Sequence, residues 1–128
     1  MTKTKTILKL FEMGIFDAIN RTRQFGADVI AVERLTKEIY QDLDSLVIEI
    51  DRSNGVVSQY QAAKFKSIGR KFNELTTHAE NMGTKFSGIS VHFGPQKMLL
   101  PGAIMMIMRI TTDIEQSTGY SFGINFGS

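Results

Sequence analysis

Two histidines, His78 and His92, and a run of carboxylates, Asp42, Asp44, Glu49 and Asp51, are the residues of this chain best suited by type to chemistry. Nucleophilic catalysis needs a nucleophile, a base within reach and a group that orients the base. Neither histidine lies in a local catalytic signature, and no G-x-S-x-G, H-E-x-x-H or Walker-type glycine loop occurs. His78 is read beside a helical seam and His92 on the polar side of a strand, both structural or solvent-facing. Asp44 and Asp51 are seven apart and share a helix face, so the carboxylates could hold a divalent ion through oxygen ligands. No glycine-containing loop arranges them, and basic residues on the next helix are placed to balance them. A solvated, salt-bridged face is therefore expected, with no metal and no cofactor.

The chain contains no cysteine, which excludes a disulfide framework, a thiolate zinc site and a cysteine nucleophile. The remaining candidates are contact residues. Lys64, Lys66, Arg70 and Lys71 put four positive charges into eight residues and could meet phosphates along a nucleic-acid backbone. The signal is weak, because the acidic segment before them reduces the field and no stacking aromatics accompany them. Met105, Met106 and Met108 lie in a run so apolar that core or interface packing is expected before soft-metal binding. In the last ten residues Tyr120, Phe122, Ile124 and Phe126 alternate with small and polar residues, sharing one face that something must cover.

These residues need elements to hold them. Thr6 to about Phe25 reads as a helix whose broad apolar face includes Ile7, Leu8, Leu10 and Phe11. Met13 and Phe16 fall off that face and ask for a second apolar contact. Gly26 is expected to stop this helix and Asp28 to cap the next, which runs to about Arg52 with Val32, Leu35, Ile39, Leu43 and Leu46 at spacings of three and four. Asn54-Gly55 makes the turn. The third helix, about Ser58 to Met82, carries Phe65, Ile68, Phe72, Leu75 and Ala79 as a seam. Gly69 interrupts it at a cost of about 1 kcal/mol relative to alanine, which predicts close approach by another backbone there. An antiparallel hairpin pairs residues whose numbers sum to roughly 110, bringing Lys64, Lys66, Arg70 and Lys71 near Asp44, Asp42 and Glu38.

Past Gly83 the pattern changes. Residues 88–93 alternate like a half-buried strand that Gly94-Pro95 breaks. A fourth helix is expected from Ala103 to about Gln116, its apolar beginning buried on every side. The tail is then the available strand partner for 89–93, or it adds to the sheet edge of another subunit, or it packs along its own helical core.

At 128 residues, 42% hydrophobic and 22% charged, the chain suits one globular domain. Charge is uneven. Residues 29–54 hold three basic and six acidic residues, whereas 55–87 hold five and two. Three lysines, Lys3, Lys5 and Lys9, accompany the first apolar face as in a membrane-surface helix. Glu12 and Asp17 interrupt that pattern, so a core helix is expected and a membrane is not. The longest apolar run, Met98 to Met108, contains Pro101 and is too short to span a bilayer. No signal peptide is read, and the expected setting is the cytoplasm or an assembled particle.

The expected fold is mainly α: an antiparallel helical hairpin plus an N-terminal helix, with a small C-terminal strand–helix–strand or extended element. It forms a single helical domain over residues 1–128, whose segment 119–128 could exchange between subunits. The expected function is that of a non-catalytic structural or interaction protein, a self-assembling homo-oligomer or a subunit of a larger particle such as a virion. Its interface candidates are Met13, Phe16, Gly69, Met105, Met106, Tyr120, Phe122, Ile124 and Phe126. The alternative is a small regulatory protein that binds nucleic acid through Lys64, Lys66, Arg70 and Lys71 or inhibits a larger enzyme. A metal-dependent hydrolase centred on Asp44 is a third class.

Overall fold

The computed structural model describes the backbone of residues 16–124 and the side chains of residues 26–124. The fold is mainly α. Helix α1, Phe16–Arg52, and helix α2, Gln59–Asn81, pack antiparallel, as the spacing of their apolar residues predicts. The seam residues Leu35, Ile39 and Leu46 of α1 and Phe65, Ile68 and Leu75 of α2 are all buried. Asn54 and Gly55 both take positive φ, 55° and 84°, and reverse the chain between the helices. Ser58 then starts α2 with a capping box: its hydroxyl accepts from the Gln61 amide, and its own amide donates to the Gln61 side chain.

Helix α1 is longer than its sequence suggests. It runs without a break through Gly26 and Asp28, so the expected stop and cap are both corrected. Glycine costs about 1 kcal/mol inside a helix, less than the helical residues on either side and the packing that follows can absorb. Asp28 has a different task. It is only 6% exposed, and its Oδ1 meets His78 Nδ1 at 2.8 Å across the hairpin. The separate N-terminal helix expected across the hairpin is, over residues 16–25, the first part of α1 itself. Met13 and the rest of residues 1–15 lie outside the described residues.

A 3₁₀ turn, Gly83–Gly88, leads into strands β1, Ser90–Phe93, and β2, Gln96–Leu99, which form a two-stranded antiparallel sheet. The partner of β1 is therefore β2 and not the C-terminal tail, a second correction. Ser90 pairs with Leu99 and Phe93 with Gln96, leaving Gly94 and Pro95 as a two-residue turn. Gly94 has φ 65°, the conformation that the first residue of such a hairpin turn requires. A Cβ there would also lie 2.5 Å from the Tyr40 ring. Val91 and Phe93 face inward, and Phe93 meets Tyr40 edge to face with ring centres 5.0 Å apart.

Helix α3, Leu100–Thr118, begins three residues before the expected start. Pro101 lies in its first turn, where the missing N–H removes no helical hydrogen bond. Leu100, Ala103, Ile107 and Ile114 point into the core. The hydroxyls of buried Thr36 and Thr111 are satisfied by the carbonyls of Val32 and Ile107, one turn back. Gly119, at φ 76°, ends the helix.

The tail beyond it has no regular secondary structure through residue 124. It lies along α2: Phe122 is buried with its ring stacked on Phe65 at 4.4 Å, and the Asn73 side-chain amide donates to the Gly123 carbonyl. Gly69 is where the two backbones meet. A Cβ on Gly69 would fall 1.6 Å from the Phe122 carbonyl oxygen.

Candidate interaction surface

Charge is spent differently on the two flanks of the hairpin. On one flank, six contacts form a ladder, four of them between α1 and α2 and two along a single helix. Asp28 meets His78, whose Nε2 lies 4.0 Å from Glu74. Glu74 is 3.9 Å from Arg34, and Arg34 is 3.3 Å from Glu38. Lys71 continues the series at 3.9 Å from Glu38 and 2.7 Å from Asp42. Near the hairpin turn, Lys64 donates to Glu49 at 2.8 Å and to the Ser45 hydroxyl at 3.3 Å. That hydrogen bond, reinforced by charge and opposed by desolvation, holds the Glu49 carboxyl below its usual value. The same bond raises the Lys64 ammonium. Lys64 thus pairs with Glu49 and not with Asp44, which corrects the expected partner.

The four candidate phosphate-contacting residues are divided by this arrangement. Lys64 and Lys71 are committed to carboxylates of α1. Lys66 and Arg70 stand exposed on the outer side of α2, with no ion pair among the described residues. The carboxylates divide likewise: Asp42 and Glu49 are bonded, while Asp44 and Asp51 are exposed and make no ion pair among the described residues. No group of three His, Cys, Asp or Glu among the described residues is placed to hold a metal ion. No helix among them is long and apolar enough to cross a membrane. His92 is exposed on β1, beside Lys37 and Gln41.

The apolar candidates separate into covered and open positions. Gly69 and Phe122 cover each other within the chain, and Ile124 is half-buried beside them. Tyr120 is 44% exposed, with its ring 5.8 Å from Phe65. Phe126 and Met13 lie outside the described residues; Phe16 is the first residue of α1, with its backbone alone described.

Helix α3 departs most from expectation. Its apolar beginning is not buried on every side, because the described residues cover only one face of it. Ala103 and Ile107 are buried and Met106 is half-buried, but Met105 is 70% exposed. Met105, Met106, Gly102 and Arg109 line a shallow cavity of about 250 Å³, with Leu99 exposed at the end of β2 just before it. Leu99 and Gly102 precede the expected helix start at Ala103 and Arg109 follows the apolar run, so the sequence reading does not single them out. With the helix begun at Leu100, Gly102 joins Met105, Met106 and Arg109 at spacings of three and four.

A second open surface lies between α1 and α3. Tyr40, Leu43, Val47, Phe93 and Ile110 line a groove of about 230 Å³, with Asp44 at its rim. Val47 and Ile48 are exposed beside it. No sequence signal singled it out, since its walls come from three elements whose packing no periodicity specifies.

No protein-family model, curated protein sequence or solved structure matches the chain.

Proposed function

We propose that this protein acts by binding other chains and not by catalysis, and that its primary partner is another copy of itself, as in a homo-oligomer or a subunit of a larger particle. The observation that carries this reading is the exposure of Met105 on α3, next to Gly102, Met106 and Leu99. Single exposed apolar residues are ordinary, whereas a contiguous patch with a polar border is the signature of an interface. This patch has such a border. Arg109 and Asp113, one turn apart on the same outward side of α3, are exposed and without an ion pair among the described residues. A two-fold interface must be complementary to itself, and one positive and one negative charge spaced along a helix meet that requirement when two copies pack antiparallel.

Sedimentation equilibrium of the wild-type chain and of Met105→Glu tests the reading. The expected result is association that strengthens with concentration and is weakened about tenfold or more by the substitution. A wild-type chain that stays monomeric up to about 100 µM, beyond the range of most specific homodimers, overturns it.

The nucleic-acid reading retains two cations, Lys66 and Arg70, and predicts binding that falls steeply with salt. A low-salt gel shift that Lys66→Gln/Arg70→Gln does not reduce removes it.

A further inference from the structure

The groove between α1 and α3 has a chemistry that specifies its occupant. Its floor is apolar: Tyr40, Leu43, Val47, Phe93 and Ile110. Its border is acidic. Asp44 stands at the rim and Asp51 one turn beyond Val47, both exposed and with no ion pair among the described residues. Of the basic residues near it, Lys37 belongs to the far end, beside His92 and the β-hairpin, while Arg52 and Arg109, next in sequence to Asp51 and Ile110, point to other sides of their helices. An unpaired carboxylate gains little from facing solvent but considerably from a cation brought to the edge of an apolar contact. The groove therefore suits an amphipathic segment with positive charges along its flank.

One segment of this sequence has that character. Residues 3–11 carry Lys3, Lys5 and Lys9 with no acidic residue, together with Ile7, Leu8, Leu10 and Phe11. Geometry forbids the segment from reaching the groove of its own chain. From Phe16 to Tyr40, the nearest wall residue of α1, the helix rises about 36 Å at 1.5 Å per residue. The nine residues from Phe16 back to Ile7, the farthest of the segment's apolar residues, span at most about 32 Å even when fully extended. We infer that the groove receives residues 3–11 of a second copy of the chain, Asp44 and Asp51 facing its lysines. The inference rests on the self-association proposed above and names the contact that makes it specific. Because the donor and acceptor surfaces differ, two copies that exchange segments reciprocally close as a two-fold dimer, and one-way donation makes rings or extended arrays.

A charge-swap experiment on the full chain tests it, read by sedimentation with far-UV circular dichroism as the fold control. Asp44→Lys/Asp51→Lys and Lys3→Glu/Lys5→Glu/Lys9→Glu are each expected to weaken association about tenfold or more. Combining both sets is expected to restore it to within about threefold of wild type, because the charges are exchanged and not lost. Wild-type association that is indifferent to either set, or a combination no better than the weaker parent, overturns the groove assignment and leaves the α3 face standing. A monomeric wild type overturns both.

Discussion

At the scale of single residues, the protein separates atoms that are committed from atoms that are open. Lys64 is among the committed, and its bond to Glu49 carries a pH signature. The folded state depresses the Glu49 carboxyl, so the stabilisation is complete above the unfolded-state value and is lost as pH falls through the folded-state one. Lys64 is raised, so its share persists below the ordinary lysine value and is lost as pH rises through the raised one. Lys64→Met is thus expected to be less stable than wild type at neutral pH, with the gap closing as acid protonates Glu49. Urea titrations at a series of pH values check this; a gap that stays constant into acid contradicts it. Gly69 is committed in a stricter sense. Alanine there drives a methyl into the Phe122 carbonyl, 1.6 Å away in the native geometry. Gly69→Ala is expected to cost about 1–3 kcal/mol in denaturant unfolding, or to lift the tail from α2. A neutral effect would mean that the tail does not lie there. The glycine was legible in the sequence as a site of close backbone approach, because an internal helix glycine needs a reason. The identity of the approaching strand was not, since nothing local to residue 69 refers to residue 122.

At the scale of elements, periodicity was a sound guide where burial is one-sided and a poor one where local signals compete. The α1–α2 seam follows the three-four spacing of Leu35, Ile39, Phe65 and Phe72 because each helix buries one stripe against the other. Gly26 misled for the opposite reason. A stop signal is a local preference of about 1 kcal/mol, which tertiary packing overrides. The continuous helix makes a prediction that a helix end would not. A Cβ at Gly26 meets nothing within 4 Å, so Gly26→Ala is expected to raise stability by about 0.5–1 kcal/mol. Thermal or urea unfolding decides it, and a loss of stability would restore the break. The β-hairpin was half legible. Residues 88–93 showed the alternation of a strand, but Gln96–Leu99 carries too little of it, with only Met98 half-buried. Its place comes from the Gly94-Pro95 turn and from β1 beside it, not from a buried face of its own.

At the scale of the whole molecule, the hairpin is a scaffold whose balanced flank faces inward on itself and whose open surfaces belong to α3 and the α1–α3 groove. Of the expected interface residues, Phe122 in the tail is used within the chain, whereas Met105 on α3 is open, as is Leu99 beside it. An apolar run announces burial without saying what buries it. The packing of α3 shows which side the described residues leave open.

The tail lying on α2 also determines the order in which the native state assembles. Asn73 and Gly123, which bond to each other, are separated by 50 residues, so that contact requires closing a long loop, whereas the hairpin closes across the short turn at Asn54. Local pairing is fast and distant pairing slow, so the hairpin belongs to the early stages of folding and the tail docks after the main barrier. Removing the tail's anchor should then leave the folding rate nearly unchanged and hasten unfolding. Phe122→Ala, a loss of about 3 kcal/mol or more, is expected to appear almost wholly in the unfolding arm of a stopped-flow chevron. A protein built in this way gives way first at its strap, so the lifetime of the native state depends on a single aromatic ring near the end of the chain.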